Sequence, residues 1–230
     1  MSASAQARVG ESEHWGVIAR NTIGSPVAAL RDGPYGSYQV QGNNPSSPPY
    51  GKGSLGIQVA DRSTSQSDPA EKVDFGNEVD FRGDQFLQLE QVGFHVFQTA
   101  ENIDHGGTRN LPSIRFEIDP NVRADPTDSY SVAVRQPDAV ASLNRWSPYL
   151  DATTTGTWYL TGGETTCTQA TPCSFTELKA SFAADDQPTI YSVSVSKGRD
   201  YLWAGAVDGL RINQYVYDFE AHGVRARRAR

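Results

Sequence analysis

Three acidic side chains near the C-terminus, Asp208, Asp218 and Glu220, are candidates for binding a cation. Calcium takes about six to eight oxygen ligands, which come from carboxylates and backbone carbonyls. Asp218 and Glu220 are two residues apart, so on a strand both project from one face while Phe219 projects from the other. The sequence is therefore compatible with a structural Ca²⁺ site, and the alternative is that all three are ordinary solvent-facing acids.

A second pair of acids, Glu117 and Asp119, also projects from one face of a predicted strand. Two carboxylates at a suitable separation can hydrolyse a glycosidic bond, one as the acid and the other as nucleophile or base. Acids on the same face are nevertheless common in half-buried sheets, and the sequence contains no Gly-x-Ser-x-Gly turn, phosphate-binding loop or His-x-x-x-His spacing. We therefore expect that the protein is not an enzyme, and a glycoside-active enzyme remains an alternative.

Aromatic side chains are candidates for ligand binding, because Trp and Tyr rings stack on sugar rings while their polar ends form hydrogen bonds. The predicted set is Trp146, Tyr149, Trp158, Tyr201 and Trp203. Trp158 and Tyr159 are adjacent and would face opposite sides of a strand, so we expect one of them outside the core. Packing in the core is the alternative explanation for at least half of these rings.

The two cysteines, Cys167 and Cys173, enclose a short loop rich in Thr, and we expect a disulfide between them. A zinc site would need about four ligands, and none of the four histidines is near the pair in the sequence. A disulfide indicates an oxidising compartment. Residues 1–7 lack an apolar segment but contain small-x-small patterns typical of cleavage sites, so we expect a secreted protein whose leader has been removed.

The formal net charge of −7 argues against a nucleic-acid partner, because phosphate binding needs a clustered cationic face. The only basic run is formed by Arg225, Arg227, Arg228 and Arg230, which we interpret as a frayed, solvated tail, with a docking role as the alternative. No stretch approaches the roughly 18 consecutive apolar residues of a membrane-spanning helix. We therefore expect no nucleic-acid partner and no membrane insertion.

Alternation of apolar and polar residues predicts most of the elements that must position these side chains. It is clearest in residues 55–59, 92–97, 113–118, 130–134, 190–195, 205–212 and 215–220. Residues 146–150 and 157–161 are expected to form another pair of strands. Ser174 and Glu177 form a capping-box pattern, which predicts one short helix over residues 175–182. About ten strands with long connections favour an all-β fold, a jelly-roll β-sandwich with one short helix.

The domain organisation follows from where these signals begin and end. Residues 53–224 are predicted to form the β-sandwich domain. Residues 1–52 are interpreted as an N-terminal extension with an edge strand at residues 15–19 and a loop rich in Pro and Gly. Residues 225–230 are interpreted as a basic tail.

The run Gly-Ala-Val-Asp-Gly-Leu-Arg-Ile-Asn-Gln-Tyr-Val-Tyr-Asp-Phe-Glu at residues 205–220 resembles the closing strands of uncharacterised secreted bacterial proteins, many of them actinobacterial. Upstream segments at residues 53–55, 89–94 and 112–114 fit as well, so the resemblance covers roughly residues 53–224. It implies a jelly roll similar to non-catalytic carbohydrate-binding or lectin-like modules. In such modules an acid on a terminal strand often holds calcium, which would fit Asp218 or Glu220.

Two functions are therefore expected from different classes. The first is a secreted module that binds a glycan or a cell-surface polymer through the aromatic side chains. The second is a self-assembling extracellular or particle structural protein, in which residues 15–18 add an edge strand to a neighbouring copy in a homo-oligomer.

Overall fold

The computed structural model describes residues 10–32, 47–60, 70–104, 106–107, 110–121, 129–138, 143–162 and 165–229. Two antiparallel sheets pack face to face in these parts of the chain, so the expected all-β sandwich is confirmed. Within the described residues one sheet has nine strands and the other has six. A single continuous core lies between the sheets.

The described residues form fifteen strands and two α-helices. They are β1 (Gly10–Ser12), β2 (Trp15–Val17), β3 (Val27–Asp32), β4 (Gly53–Val59), β5 (Lys72–Asn77), β6 (Val92–Gln98), α1 (Glu101–Asp104), β7 (Ser113–Asp119), β8 (Ser131–Gln136), β9 (Arg145–Trp146), β10 (Leu150–Asp151), β11 (Thr157–Leu160), α2 (Phe175–Ala180), β12 (Thr189–Gly198), β13 (Trp203–Ile212), β14 (Tyr215–Glu220) and β15 (Gly223–Arg228). Short 3₁₀ turns occur at Ala19–Asn21 and Phe86–Gln88.

The larger sheet has the order β1-β15-β14-β13-β4-β3, with β6 also paired to β13 and with β9 and β10 paired to β6. The smaller sheet has the order β11-β8-β7-β12-β5-β2. Because successive side chains on a strand face opposite sides, each inner strand sends alternate apolar residues into the core. Ile114, Phe116 and Ile118 on β7, for example, are fully buried.

The expected helix and disulfide are both confirmed. Helix α2 begins after Ser174, whose hydroxyl accepts from the Glu177 backbone while the Glu177 carboxylate accepts from the Ser174 backbone. Cys167 and Cys173 are bridged. Trp158 N donates to Cys173 O at 2.7 Å and Cys173 N donates to Trp158 O at 2.8 Å, so the bridged loop extends the edge of the smaller sheet beside β11.

The predicted pairing of residues 146–150 with residues 157–161 is wrong. β9 and β10 pair with β6 in the larger sheet, whereas β11 pairs with β8 in the smaller sheet. The turn that follows Asp151 carries the chain from one sheet to the other, and the Asp151 carboxylate accepts from the Thr153 backbone at 2.9 Å within it. Adjacent strand signals therefore belong to different layers of the sandwich.

Both ends of the described chain belong to the sandwich, so the expected extension and tail need correction. β2 lies at the edge of the smaller sheet as expected, but β1 pairs with β15 and β3 pairs with β4. The arginine run is not frayed, because Arg225, Arg227 and Arg228 lie on β15, which pairs with β14 along its length. Residues 1–9, 33–46 and 230 lie outside the described residues.

Trp15 joins the N-terminal segment to the core, and we expect Trp15→Ala to destabilise the whole domain. The indole ring lies 5.2 Å from the ring of Tyr217 and 5.7 Å from the ring of Phe219, both on β14 of the opposite sheet. Removing a packed Trp from such a position costs about 3 kcal/mol. Urea unfolding followed by circular dichroism measures the loss.

Val17→Ala is the matched control on the same strand, since Val17 is 46% exposed and its truncation should cost less than about 0.5 kcal/mol. Equal small losses for the two variants would show that β2 is not an integral part of the sandwich.

Candidate functional site

Strand β13 changes partners near its middle, and the residues at the change lie on a β-bulge. β6 pairs with both halves of β13, with a register shift between Asp208 and Arg211. On the other side β13 pairs first with β4, up to Val207, and then with β14, from Leu210. Gly209 has a φ of +62° within this interruption. Bulges aim side chains away from the regular ladder and are common near functional sites.

The chain before β4 fills the gap between β4 and β14, and the acids predicted as metal ligands hold it there. Tyr50 N donates to Asp208 Oδ2 at 3.0 Å. Lys52 N and Gly53 N donate to the two carboxylate oxygens of Glu220 at 3.1 and 3.0 Å. These carboxylates therefore act as acceptors for backbone groups that have no strand partner at this point.

Asp218 lies on β14 two residues before Glu220 and has a side-chain cation as its partner. Its side chain is 0% exposed, and Arg227 Nη2 lies 2.5 Å from Asp218 Oδ2. In the described part of the chain, no group of three or more His, Cys, Asp or Glu side chains is arranged to hold a metal ion. The structure thus places the predicted calcium ligands Asp208, Asp218 and Glu220 on the neighbouring strands β13 and β14, where their carboxylates contact backbone N–H groups and a guanidinium. Calcium binding stays a prediction.

The alternative of ordinary solvent-facing acids is also wrong for Asp208 and Asp218, because both are 0% exposed. Burial raises the pKa of Asp208 to about 8. The negative charge of Asp218 adds to this rise, while hydrogen bonds from the backbone of Phe219, Gly209 and Tyr50 oppose it. Burial also raises the pKa of Asp218, and the nearby Arg227 opposes that rise. Two buried acids with raised pKa values therefore lie side by side at the bulge.

A cavity of about 680 Å³ opens on the outer face of the larger sheet beside this bulge. We call it the Tyr-Arg pocket. Its lining residues are Tyr50, Tyr149, Gly209, Arg211, Val216, Arg227, Arg228 and Ala229. The lining thus combines aromatic and cationic residues, and among the described residues it includes no acid.

Two glycines allow the tyrosine rings to pack closely onto the sheet. A Cβ on Gly209 would lie 2.4 Å from Tyr50 Cε2, and a Cβ on Gly93 would lie 2.5 Å from the Tyr149 hydroxyl. Both rings also contact the His95 ring, with centroid distances of 5.9 Å for Tyr50 and 5.8 Å for Tyr149. The two tyrosines are therefore fixed against the same small area of the sheet.

The groups under the rings are uncharged or hard to ionise. Burial lowers the pKa of His95, and a hydrogen bond between its Nδ1 and Ser147 O, at 3.1 Å, opposes this effect. Since a carbonyl can only accept, Nδ1 carries a proton. Burial raises the pKa of Tyr149, and the charge of Asp151 adds to that rise. Burial therefore favours the neutral forms of His95 and Tyr149 beside the pocket.

The five aromatic residues predicted to bind a ligand are scattered, and one of them lines the pocket. Trp158 and Trp203 are 0% exposed and belong to the core, so the prediction that their rings meet a ligand needs correction. Trp146 is partly buried against Phe97, with the ring centroids 5.7 Å apart. Tyr201 is 50% exposed but lies outside the pocket lining. Tyr149 is the candidate that the structure places in the pocket.

The acid pair considered for glycoside hydrolysis, Glu117 and Asp119, projects from the smaller sheet. The Glu117 carboxylate is buried and accepts from the Asn21 amide at 2.8 Å, the Tyr130 hydroxyl at 2.7 Å and the Ser192 hydroxyl at 2.7 Å, and it also pairs with Arg20. Burial would raise its pKa, but these hydrogen bonds and the cation together lower it to about 2. A carboxylate this acidic does not act as a general acid near neutral pH.

Tyr50 and the three pocket arginines were missed by the sequence reasoning. Tyr50 stands after a Pro-rich stretch that was interpreted as a surface loop. A signal for Arg227 was present, because Val224 and Ala226 alternate with Arg225 and Arg227 in the pattern of a half-buried strand. Val224 and Ala226 do lie in the core, which turns the intervening arginines outward.

Comparisons with known proteins add no assignment. No family model, no curated protein and no solved structure matches the chain. The resemblance to secreted actinobacterial proteins therefore stays a prediction. Among the described residues, no helix is long and apolar enough to span a membrane.

We expect Glu117→Gln to lower the free energy of unfolding by about 3 kcal/mol near neutral pH, because it disrupts a buried and fully hydrogen-bonded ion pair. Urea unfolding at constant pH measures the loss. Glu78→Gln is a matched control, since Glu78 contacts the same Arg20 but its side chain is 45% exposed. The control should cost less than about 1 kcal/mol. Losses of equal size would show that the Arg20 contact alone, and not the buried network, stabilises this region.

Asp208 should make stability depend on pH. Its pKa is about 8 in the folded chain and ~3.9 in an unfolded one, so the folded chain holds an extra proton between these values. The resulting stabilisation is complete below pH ~4 and is lost as pH rises through about 8. Between about pH 5 and pH 8, the natural chain should therefore lose stability relative to Asp208→Asn by up to about 1.4 kcal/mol per pH unit.

Urea unfolding at several pH values measures this difference. Asp32→Asn makes the same substitution at an exposed position at the end of β3 and serves as the control. Parallel stability curves for the natural chain and Asp208→Asn would contradict the raised pKa.

Proposed function

We propose that this protein is a secreted, non-catalytic module that binds a carbohydrate or another cell-surface polymer in the Tyr-Arg pocket. The observation that carries the proposal is a cavity of about 680 Å³ with two fixed tyrosine rings and three arginines in its lining. Binding sites for small molecules occupy about 300–1,000 Å³ and combine apolar or aromatic walls with a few placed polar groups. The pocket has both properties.

The tyrosine rings supply the surface that a sugar ring needs. Aromatic faces bind the apolar C–H side of a sugar through dispersion, and a ring that is already fixed loses little conformational freedom on binding. Tyr50 and Tyr149 are both held against His95, and the Tyr50 backbone is anchored on Asp208. The arginines in the same lining offer several N–H groups that can donate to hydroxyl or acidic groups of a saccharide.

Other features support the secreted and non-catalytic parts of the proposal. A disulfide such as Cys167–Cys173 persists in oxidising compartments outside the cytosol. The low pKa of Glu117, about 2, argues against its use as a general acid in glycoside hydrolysis. Calcium is not needed for the proposed binding mode, since Asp218 already has Arg227 as its counter-ion.

The alternative of a self-assembling structural protein has less support. It was motivated by a segment, residues 15–18, that could add a strand to a neighbouring copy. That segment forms β2 and pairs with β5 of its own chain. Its hydrogen-bonding groups on that side are therefore used within the monomer.

A glycan array, followed by calorimetric titration of the retained glycans, tests the proposal. We expect at least one glycan to bind with micromolar affinity, and Tyr149→Ala to weaken that binding about tenfold or more, because the variant removes one wall of the pocket. Tyr149→Phe keeps the ring and should retain most of the affinity, which separates stacking from loss of folding.

Tyr201→Ala is the matched aromatic control, since Tyr201 is 50% exposed and lies outside the pocket lining. The proposal would be contradicted if no glycan were retained at high-micromolar concentration, or if Tyr149→Ala and Tyr201→Ala lost glycan affinity equally.

A further inference from the structure

We infer that the ligand of the Tyr-Arg pocket is an anionic saccharide, whose carboxylate or sulfate group is bound by Arg211, Arg227 and Arg228. This inference rests on the proposed function and gives its ligand a chemical class. The juxtaposition that carries it is three arginines and two fixed tyrosine rings around one cavity, with no acid among the described lining residues.

The concentration of positive charge is unusual for this chain. The protein as a whole has a formal net charge of −7, with 20 Lys and Arg against 27 Asp and Glu. Three of those cations nevertheless meet around one cavity, and they come from two strands that are not neighbours, β13 and β15. A concave surface lined by one sign of charge concentrates ligands of the opposite sign.

Arg211 is oriented by its own turn. Its Nε donates to Asn213 O at 2.9 Å, which fixes the stem of the side chain and leaves the two Nη groups to bind elsewhere. The paired donors of a guanidinium match the two oxygens of a carboxylate or sulfate. Arg211 therefore presents a pre-positioned binding group to the pocket.

Arg227 is held from the other side. Its Nη2 contacts the carboxylate of Asp218, which is 0% exposed, while the Arg227 side chain itself is 48% exposed. Asp218 neutralises part of this guanidinium and keeps it in place at the pocket. Arg228 is exposed and adds a further positive charge at the rim. The charge of the lining residues is thus only partly balanced by the buried acid.

The positions of rings and cations indicate one ligand rather than two. A sugar ring stacked on Tyr149 would place its substituents in the space that the arginines also line. A free anion would use the arginines alone and leave the rings unused. A neutral sugar would use the rings and the N–H donors of the arginines, but only an acidic sugar would also use their charge.

The experiment compares oligogalacturonate, its methyl ester and a sulfated oligosaccharide of the same length by calorimetric titration against the natural chain. The acid and the ester differ in charge but share the sugar ring. We expect oligogalacturonate or the sulfated oligosaccharide to bind at least tenfold more tightly than the ester, with affinity that falls as salt rises. The stronger of the two acidic ligands identifies the anionic group.

Variants separate the pocket from general charge effects. Arg228→Gln should weaken binding of the acidic ligand about tenfold and weaken binding of the methyl ester by a smaller factor, and Arg228→Lys should recover part of the loss for the acidic ligand. Arg145→Gln is the matched control, because Arg145 is exposed on β9 and lies outside the pocket lining. Equal effects of Arg228→Gln and Arg145→Gln would overturn the inference.

The failures of the two proposals are distinguishable. Equal affinity for oligogalacturonate and its methyl ester would overturn the anionic ligand and leave carbohydrate binding standing. Binding of single-stranded DNA as tight as that of the acidic saccharides would also overturn it, since charge alone would then explain the binding. No binding of any of these saccharides, and none on the glycan array, would overturn both proposals.

Discussion

On one side, β13 pairs first with β4 and then with β14. Where the partner changes, the carboxylate of Asp208 accepts hydrogen bonds from backbone N–H groups. Phe219 N and Tyr50 N, from two different elements, both donate to it, at 3.1 and 3.0 Å. A buried N–H without an acceptor costs about 1–3 kcal/mol. The position of β14 and of the chain entering β4 therefore depends on this side chain. The Tyr-Arg pocket depends on it as well, because Tyr50 is fixed through the same contact.

Glu117 and Asp208 show how one kind of group can behave in opposite ways when it is buried. Both are almost fully inaccessible, at 2% and 0% exposure. The pKa of Glu117 falls to about 2, because three side-chain donors and the cation Arg20 surround it. The pKa of Asp208 rises to about 8, because burial disfavours its charged form and the negative charge of Asp218 adds to the rise. The surroundings of Glu117 stabilise its ionised form, whereas the surroundings of Asp208 destabilise its ionised form. Carboxyl groups with strongly shifted pKa values are concentrated at functional sites.

The sequence predicts the sandwich better than it predicts the pocket, for physical reasons. Alternation along residues 113–118 or 190–195 is a local property, and both segments form strands as expected. The capping box before α2 and the pairing of the two cysteines are equally local. Whether an aromatic ring such as Trp158 or Trp203 faces the core or a ligand depends on which face the opposite sheet covers, and a single strand does not contain that information.

The pocket is harder to predict from the sequence, because its lining residues come together only in the folded chain. Tyr50, Tyr149, Arg211 and Arg227 come from distant parts of the chain, and the bulge at Asp208 brings them together. The positive charge of β15 is evident in the sequence. The alternation of its arginines with Val224 and Ala226 is what shows that the segment is a strand and not a tail.

The lack of a side chain at Gly93 and at Gly209 lets the two tyrosine rings of the pocket lie close to the sheet. A side chain at Gly209 would meet the Tyr50 ring at a φ of +62° that favours glycine, and one at Gly93 would meet Leu150 O and the Tyr149 hydroxyl. A substitution at either glycine would therefore disturb the pocket, and at Gly93 it would also disturb the pairing of β6 with β10. Among related chains, glycine at both positions together with arginine at the places of Arg211 and Arg227 would mark those that inherited the site, and its loss would mark those that inherited only the scaffold.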